Sequence, residues 1–163
     1  MYISNVNSAS IKLKSIVQEN IPIGQDLSLL SEDELVIIYI HKGSASYRHN
    51  NEEGEIKKRD LIILNPNYQL DLSPIRKIEW IKVTLSGVLF TSSLEANSQE
   101  QLFIVGDKGQ SIKHYLDLAL MEMDNPFRGS EIILKKLFFS NDESLTQIVF
   151  HWKFMAFIAL YLY

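Results

Sequence analysis

Residues 34–87 read ELVIIYIHKGSASYRHNNEEGEIKKRDLIILNPNYQLDLSPIRKIEWIKVTLSG, and this stretch decides the fold. Short β-branched and aromatic runs are punctuated by turn formers at intervals of about ten residues, the pattern of an antiparallel sandwich or barrel. Glu34–His41 is too apolar to keep a wet face and predicts a strand stopped at Lys42-Gly43. Ser44–His49 predicts a second strand, and Asn50–Gly54 suits a hairpin that returns along Glu55–Lys58. The turn Arg59-Asp60 leads into Leu61–Leu64, which Asn65-Pro66-Asn67 stops, because proline cannot donate into a central ladder. Tyr68–Leu72 predicts a short strand ending at Ser73-Pro74, and Lys77–Leu85 alternates cleanly as far as Ser86-Gly87. Strands following one another so closely exclude a βαβ architecture.

Outward from this centre the reading changes. Ile11–Lys14 alternates and predicts an edge strand or arm, and Gln101–Val105, before Gly106-Asp107, predicts one more strand. Beyond Gly109 the spacing is helical. Ser111 is an N-cap for a helix with Ile112, Tyr115, Leu116, Ala119 and Met123 on one face, ended by Asn125-Pro126. Ser130 caps a second helix through Phe139, and Ser140–Glu143 is a polar break before the last one. In that last helix Leu145, Ile148, Trp152, Met155, Ala159 and Leu162 alternate steps of three and four, the rhythm of a helix pair. Val149, Phe150, Phe154, Phe157 and Ile158 make its other sides apolar too. A helix apolar all round is buried on every side, here against its own domain and against a second copy of the chain. The alternative is a core helix buried within one subunit. The expected fold is therefore mainly β with C-terminal α: an N-terminal arm and barrel over residues 1–106, then about three helices over residues 107–163, together forming one structural domain.

Composition narrows the function. The chain has 163 residues, 46% hydrophobic and 22% charged, with no cysteine, so it can bury a core without disulfides and offers no thiol chemistry. Its net charge of -4 excludes a general attraction to phosphate backbones, and Lys57-Lys58-Arg59 is explained by a solvated hairpin. Met1–Ser8 lacks a basic stretch leading into an apolar run, and Ile148–Tyr163 carries His151 and Lys153 and is short for a membrane span, so a cytoplasmic address is expected. Four histidines occur, at 41, 49, 114 and 151. They do not form the converging set a metal site requires; His41 reads as a strand end and His49 as a solvated hairpin residue. Phosphate-cradling glycine loops and nucleophile elbows are absent from the sequence, and Asp60, Asp71 and Glu79 read as turn or solvated carboxylates. The expectation is a protein with no catalytic residues, no cofactor and no metal.

The ordered series Ile37–Gly43, Gly54–Asn67 and Glu79–Gly87 resembles the N-terminal cupin domain of AraC-type transcriptional regulators. In that family a strand ends in glycine, a Gly-Asp turn leads an apolar strand into a proline, and a later strand ends aromatic-Ser-Gly. Gly43, Asp60, Pro66 and Ser86-Gly87 match, whereas Arg59 stands in place of the turn glycine and Leu85 in place of the aromatic residue. Shortly after the proline the family often has a histidine; here Leu70 and Asp71 occupy that place.

The resemblance implies a cupin-like antiparallel barrel or jelly roll that binds a small effector, with helices that pair two subunits. It implies a homodimer seam including Leu145, Ile148, Trp152 and Met155, and DNA contact only through a helix-turn-helix part lying beyond Tyr163. Trp80 and Lys82 fall at positions matching pocket residues of the sugar-binding type, and Lys42 matches an arginine serving there. Two ammonium donors and an indole suit a sugar-like or anionic effector. Strand parity leaves one alternative open, with Ile81, Val83 and Leu85 lining the barrel and Lys82 in water. Two other functions remain beside the regulator: a small metal-dependent cupin enzyme using His41 and His49, and a stand-alone sugar-binding β module.

Overall fold

A computed structural model of the chain describes residues 2–4, 12–87, 89–91, 101–110, 112–114, 116, 117 and 120. The chain divides into two compact units, Met1–Lys108 and Gly109–Tyr163. The first holds nine described strands: β1 (Tyr2–Ser4), β2 (Lys12–Ile21), β3 (Leu27–Leu30), β4 (Glu34–His49), β5 (Glu52–Lys57), β6 (Asp60–Leu64), β7 (Gln69–Ser86), β8 (Leu89–Thr91) and β9 (Leu102–Gly106).

The unit is organised by two long strands, β4 and β7, which lie antiparallel along nearly their whole length. The first half of β4 pairs with the last part of β7, with Glu34 opposite Ser86 and Ile40 opposite Trp80, and this layer is extended by β6 and β9 on one side and β2 on the other. The second half of β4 pairs with the first part of β7, with Ala45 opposite Pro74 and Arg48 opposite Asp71, and here β5 and β3 flank the pair. One buried cluster spans the two parts: Ile21, Val36, Ile38, Ile40, Ile62, Leu64, Ile78 and Trp80 from the first pack with Ala45, Ile56, Leu70 and Leu72 from the second. Alternation along each strand defines this as the inner face.

The sequence predicts four strands where the structure has two, because the breakers bend the chain here and do not end it. Gly43 lies at φ +88°, and a Cβ at that position would stand 2.2 Å from the Lys77 carbonyl oxygen, so only glycine fits this crossing of β4 over β7. Three register irregularities fall between Ile40 and Ala45, bulges that sharpen the turn of β4 from one part to the other. Opposite them, Pro74 sits inside β7. On the other edge of β7, β3 pairs up to Leu72 and β2 starts at Ile78, so the missing proline N–H falls where that edge has no partner strand.

Other strands differ from expectation as well, among them β1 and β8, which pair with each other and which the sequence does not announce. The alternating segment expected at Ile11–Lys14 continues as β2 to Ile21, through Gln18, Glu19 and Asn20, whose polarity hides a strand that is half exposed. β3, Leu-Ser-Leu-Leu with half-buried and exposed positions alternating, is only four residues long and too short for its pattern to stand out. Arg59 does adopt the left-handed conformation of the glycine it replaces, φ 75°, and Asp60 secures the turn by accepting the Lys57 N–H at 2.9 Å. Next to the β6 end, the buried Asn65 side chain brackets β8: Nδ2 donates to the Phe90 carbonyl at 2.8 Å and Oδ1 accepts the Phe90 N–H at 2.9 Å.

In the second unit, residues 112–114, 116, 117 and 120 are helical, in keeping with a helix starting at Ser111, and Lys113 pairs with Asp117 one turn on. The two later helices expected from the sequence, with Leu145, Ile148, Trp152 and Met155, lie outside the described residues. Among the described residues no helix is long and apolar enough to cross a membrane.

Candidate functional site

The last part of β7 is apolar on both sides. Ile81, Val83 and Leu85 are buried on the outer face, opposite Tyr39, Ile37 and Leu35 of β4. On the inner face the order is Ile78, Trp80, Lys82 and Thr84, and Trp80 belongs to the core while Lys82 keeps 26% of its side chain exposed. Trp80 and Lys82 therefore share one face, and the outer apolar triplet does not displace them from it.

The neighbouring strand adds a residue that the sequence reading did not include. β2 pairs with β7 so that Glu19 stands opposite Trp80 and Val17 opposite Lys82. The Trp80 indole Nε1–H donates to Glu19 Oε2 at 2.7 Å, and the Lys82 Nζ donates to Oε1 at 3.4 Å. Both carboxylate oxygens are thus engaged, one by a buried donor and one by a half-exposed cation. At its exposed edge, where Lys82 and Glu19 reach solvent, such an arrangement can hold a small polar molecule by charge-assisted hydrogen bonds.

Lys42 is not brought to this group. Its Nζ lies 2.8 Å from Glu79 Oε2, and Glu79, next to Trp80 along β7, points to the opposite face. The hydrogen bond from Lys42 holds the Glu79 carboxyl below the ordinary glutamate range, against partial burial and with help from the charges of Lys42, Lys77 and His41.

At the far end of the inner face, His49 is buried, not solvated as expected from its hairpin position. Its Nδ1–H donates to the Gln69 carbonyl at 2.7 Å, its Nε2 lies 3.0 Å from Gln101 Oε1, and its ring meets Tyr68 edge-on at a centroid distance of 6.1 Å. Gln101, on the approach to β9, supplies this second contact from far along the chain, which no local pattern signals. Among the described residues no group of three or more histidine, aspartate and glutamate side chains is placed to hold a metal ion.

These features were compared with known proteins. Residues 13–140 match the profile of the AraC-like ligand binding domain. The chain belongs to that family. Among solved structures, ToxT from Vibrio cholerae is similar over 79% of this chain and 53% of its own, at 15% identity and a TM-score of 0.50, a likeness of fold. This chain thus spans about half the length of ToxT. A predicted oxalate decarboxylase from Thermotoga maritima is 19% identical over 46% of this chain and 68% of its own, with a TM-score of 0.42. YhaK from Escherichia coli is 11% identical over 64% of this chain and 50% of its own, at a TM-score of 0.47. None of the curated proteins matches the chain in sequence.

In this AraC-like domain the place often held by a histidine is divided between two residues of different fate. Leu70 is fully buried on the inner face, and Asp71 turns outward, where it accepts hydrogen bonds from Ser28 Oγ at 2.7 Å and Gln69 Nε2 at 2.9 Å. The Gln69 and Ser28 bonds, with a smaller contribution from the Arg48 charge, lower the Asp71 carboxyl against the opposing effect of burial. Glu19 carries no comparable sequence signal, because its meaning depends on the register of β2 against a strand some sixty positions later in the chain.

Proposed function

We propose that this chain is the effector-sensing part of an AraC-type transcription regulator, without catalysis, cofactor or metal of its own. The observation that carries the reading is the meeting, on the inner face of a ligand-binding-family fold, of a buried tryptophan with an accessible lysine. In this reading a small molecule, sugar-like or anionic, meets the inner face of β7 at the exposed Lys82–Glu19 edge beside Trp80 and takes a hydrogen bond from Lys82. The rest of the reading is a cupin-like barrel followed by C-terminal helices, a homodimer seamed by Leu145, Ile148, Trp152 and Met155, a cytoplasmic location, and DNA contacted by a part outside this chain. Lys42 is the outlying member of the site, since its tie to Glu79 keeps it on another partner.

The test of the site is a fluorescence titration of a Trp152→Phe protein, in which Trp80 is the remaining tryptophan, against a panel of sugars and small carboxylates. Saturable change in Trp80 emission that Lys82→Ala weakens is the expected result. Stoichiometric zinc, iron or manganese in the purified protein, held through His41 and His49, would overturn the regulator reading in favour of a cupin enzyme. For the assembly, replacing both Ile148 and Met155 by Asp is expected to convert dimers to monomers or aggregates in sedimentation; a wild-type monomer at high concentration refutes the seam.

A further inference from the structure

We propose that Glu19 is the specificity-determining residue of the Trp80–Lys82 site, reserving its donors so that the site takes an uncharged, hydroxyl-bearing molecule and turns anions away. The inference rests on the reading above, that the effector meets the inner face of β7. Taken alone, a half-buried ammonium beside an indole N–H is a place for an anion, because two donors converge with a positive charge. The structure has already supplied that anion. Glu19 Oε2 takes the indole hydrogen at 2.7 Å and Oε1 faces the ammonium at 3.4 Å.

This occupancy is built into the sheet. Glu19 stands opposite Trp80 in the β2–β7 ladder, with pairs on both sides of it from Ile16–Val83 to Ile21–Ile78. A carboxylate held on a paired strand competes as an intramolecular ligand, at an effective concentration of roughly millimolar or above. An incoming anion must displace it, and must then share a half-buried setting with a second negative charge. A hydroxyl group faces neither obstacle.

What the pair leaves open matches a hydroxyl. The contact of 3.4 Å is long for a lysine–carboxylate bond, and the ammonium has further hydrogens to give. Glu19 Oε1 likewise keeps lone pairs that can accept. One donor and one acceptor therefore stand side by side, with 26% and 38% of their side chains exposed, beside an indole that is itself sealed in the core. A hydroxyl can accept from Lys82 and donate to Glu19 at once. A carboxylate ligand can only accept.

Benzoate and benzyl alcohol, alike in shape and unlike in charge, test this on the full chain, with the Trp80 Nε1–H resonance as the readout. Glu19→Gln preserves an acceptor for the indole while removing the charge; Glu19→Ala serves if the glutamine variant does not fold. Benzoate is expected to bind the Glu19 variant at least tenfold more tightly than the wild type, and adding Lys82→Met should abolish the gain. Benzyl alcohol should differ less than about threefold between wild type and Glu19→Gln. Equal benzoate response in wild type and variant, whether binding or none, overturns the proposal, as does a gain that survives loss of Lys82. Failure of every molecule in the effector panel would count against the sensor reading alone, since the charge gate would still register with benzoate.

Discussion

Two lysine–glutamate pairs, with their β7 members Glu79 and Lys82 three residues apart, behave as opposites. Lys42 and Glu79 meet at 2.8 Å on the outer side, where 58% of the lysine side chain is exposed; Lys82 and Glu19 meet at 3.4 Å beside a core tryptophan. The closer pair is the less consequential one, because solvent and salt screen an exposed ion pair. The looser pair shares its carboxylate with an indole N–H that has no route to water, so its geometry is tied to the packing of the core. Short distance and structural weight are therefore separate quantities in this sheet.

The comparison depends on the offset that places Ile40 opposite Trp80 and Lys42 opposite Glu79, and the most damaging way to break it is at the bend. Gly43→Ala is expected to cost more than about 4 kcal/mol, a large share of an ordinary domain's stability, and a chemical denaturation midpoint far below that of the wild type would show it. Next comes the core anchor. Trp80→Ala should destabilise by roughly 3–5 kcal/mol, whereas Trp80→Phe, which removes the indole donor and leaves a smaller void in the core, should cost less, about 1–3 kcal/mol; urea melts of the two variants measure the difference.

Smaller effects separate the pairs by function. Lys82→Ala is expected to weaken effector affinity by about ten- to a hundredfold, from loss of a charge-assisted hydrogen bond of roughly 1.5–3 kcal/mol, with the denaturation midpoint nearly unchanged. Lys42→Ala should leave affinity within about twofold, and an equal loss in both variants would mean that the two pairs serve the effector alike. The smallest effect belongs to Glu79. Its carboxyl is lowered in the folded protein, so the stability it contributes is present above the unfolded value of about 4.3 and is lost as pH falls through the folded one. Glu79→Gln should therefore lower stability slightly at neutral pH and leave it unchanged in acid, flattening the acid limb of stability against pH, and the flattening should shrink in high salt.

The main strands were legible because apolar runs bounded by glycine, proline and asparagine carry their own signal, and the same residues carried the family resemblance. The joins between strands were not. Lys42-Gly43 and Ser73-Pro74 have the composition of stops, and only the crossing of β4 and β7 turns them into bends, a tertiary effect that local propensity does not contain. At the site, alternation along Lys77–Leu85 put Trp80 and Lys82 on one face, which follows from a period of two within a single strand. Glu19 and Gln101 were hidden for the opposite reason: each acquires its partner through a pairing or a loop approach distant in sequence. His49 illustrates the same limit, since a hairpin position implies water until Tyr68 and Gln101 close over it.

The register of β2 also has a consequence for how the chain is made. Lys12 pairs with Ser86 and Ile21 with Ile78, and among the described strands β2 hydrogen-bonds to β7 alone. A ribosome adding 5–20 residues per second would emit β2 roughly 3–15 s before the strand that receives it. During that interval an edge with Ile16, Val17 and Ile21 waits unpaired, while the nearer β4–β5 hairpin can close in microseconds. The nascent chain is thus most open to chaperones, and to mispairing with its neighbours on a polysome, at the segment that later delivers Glu19.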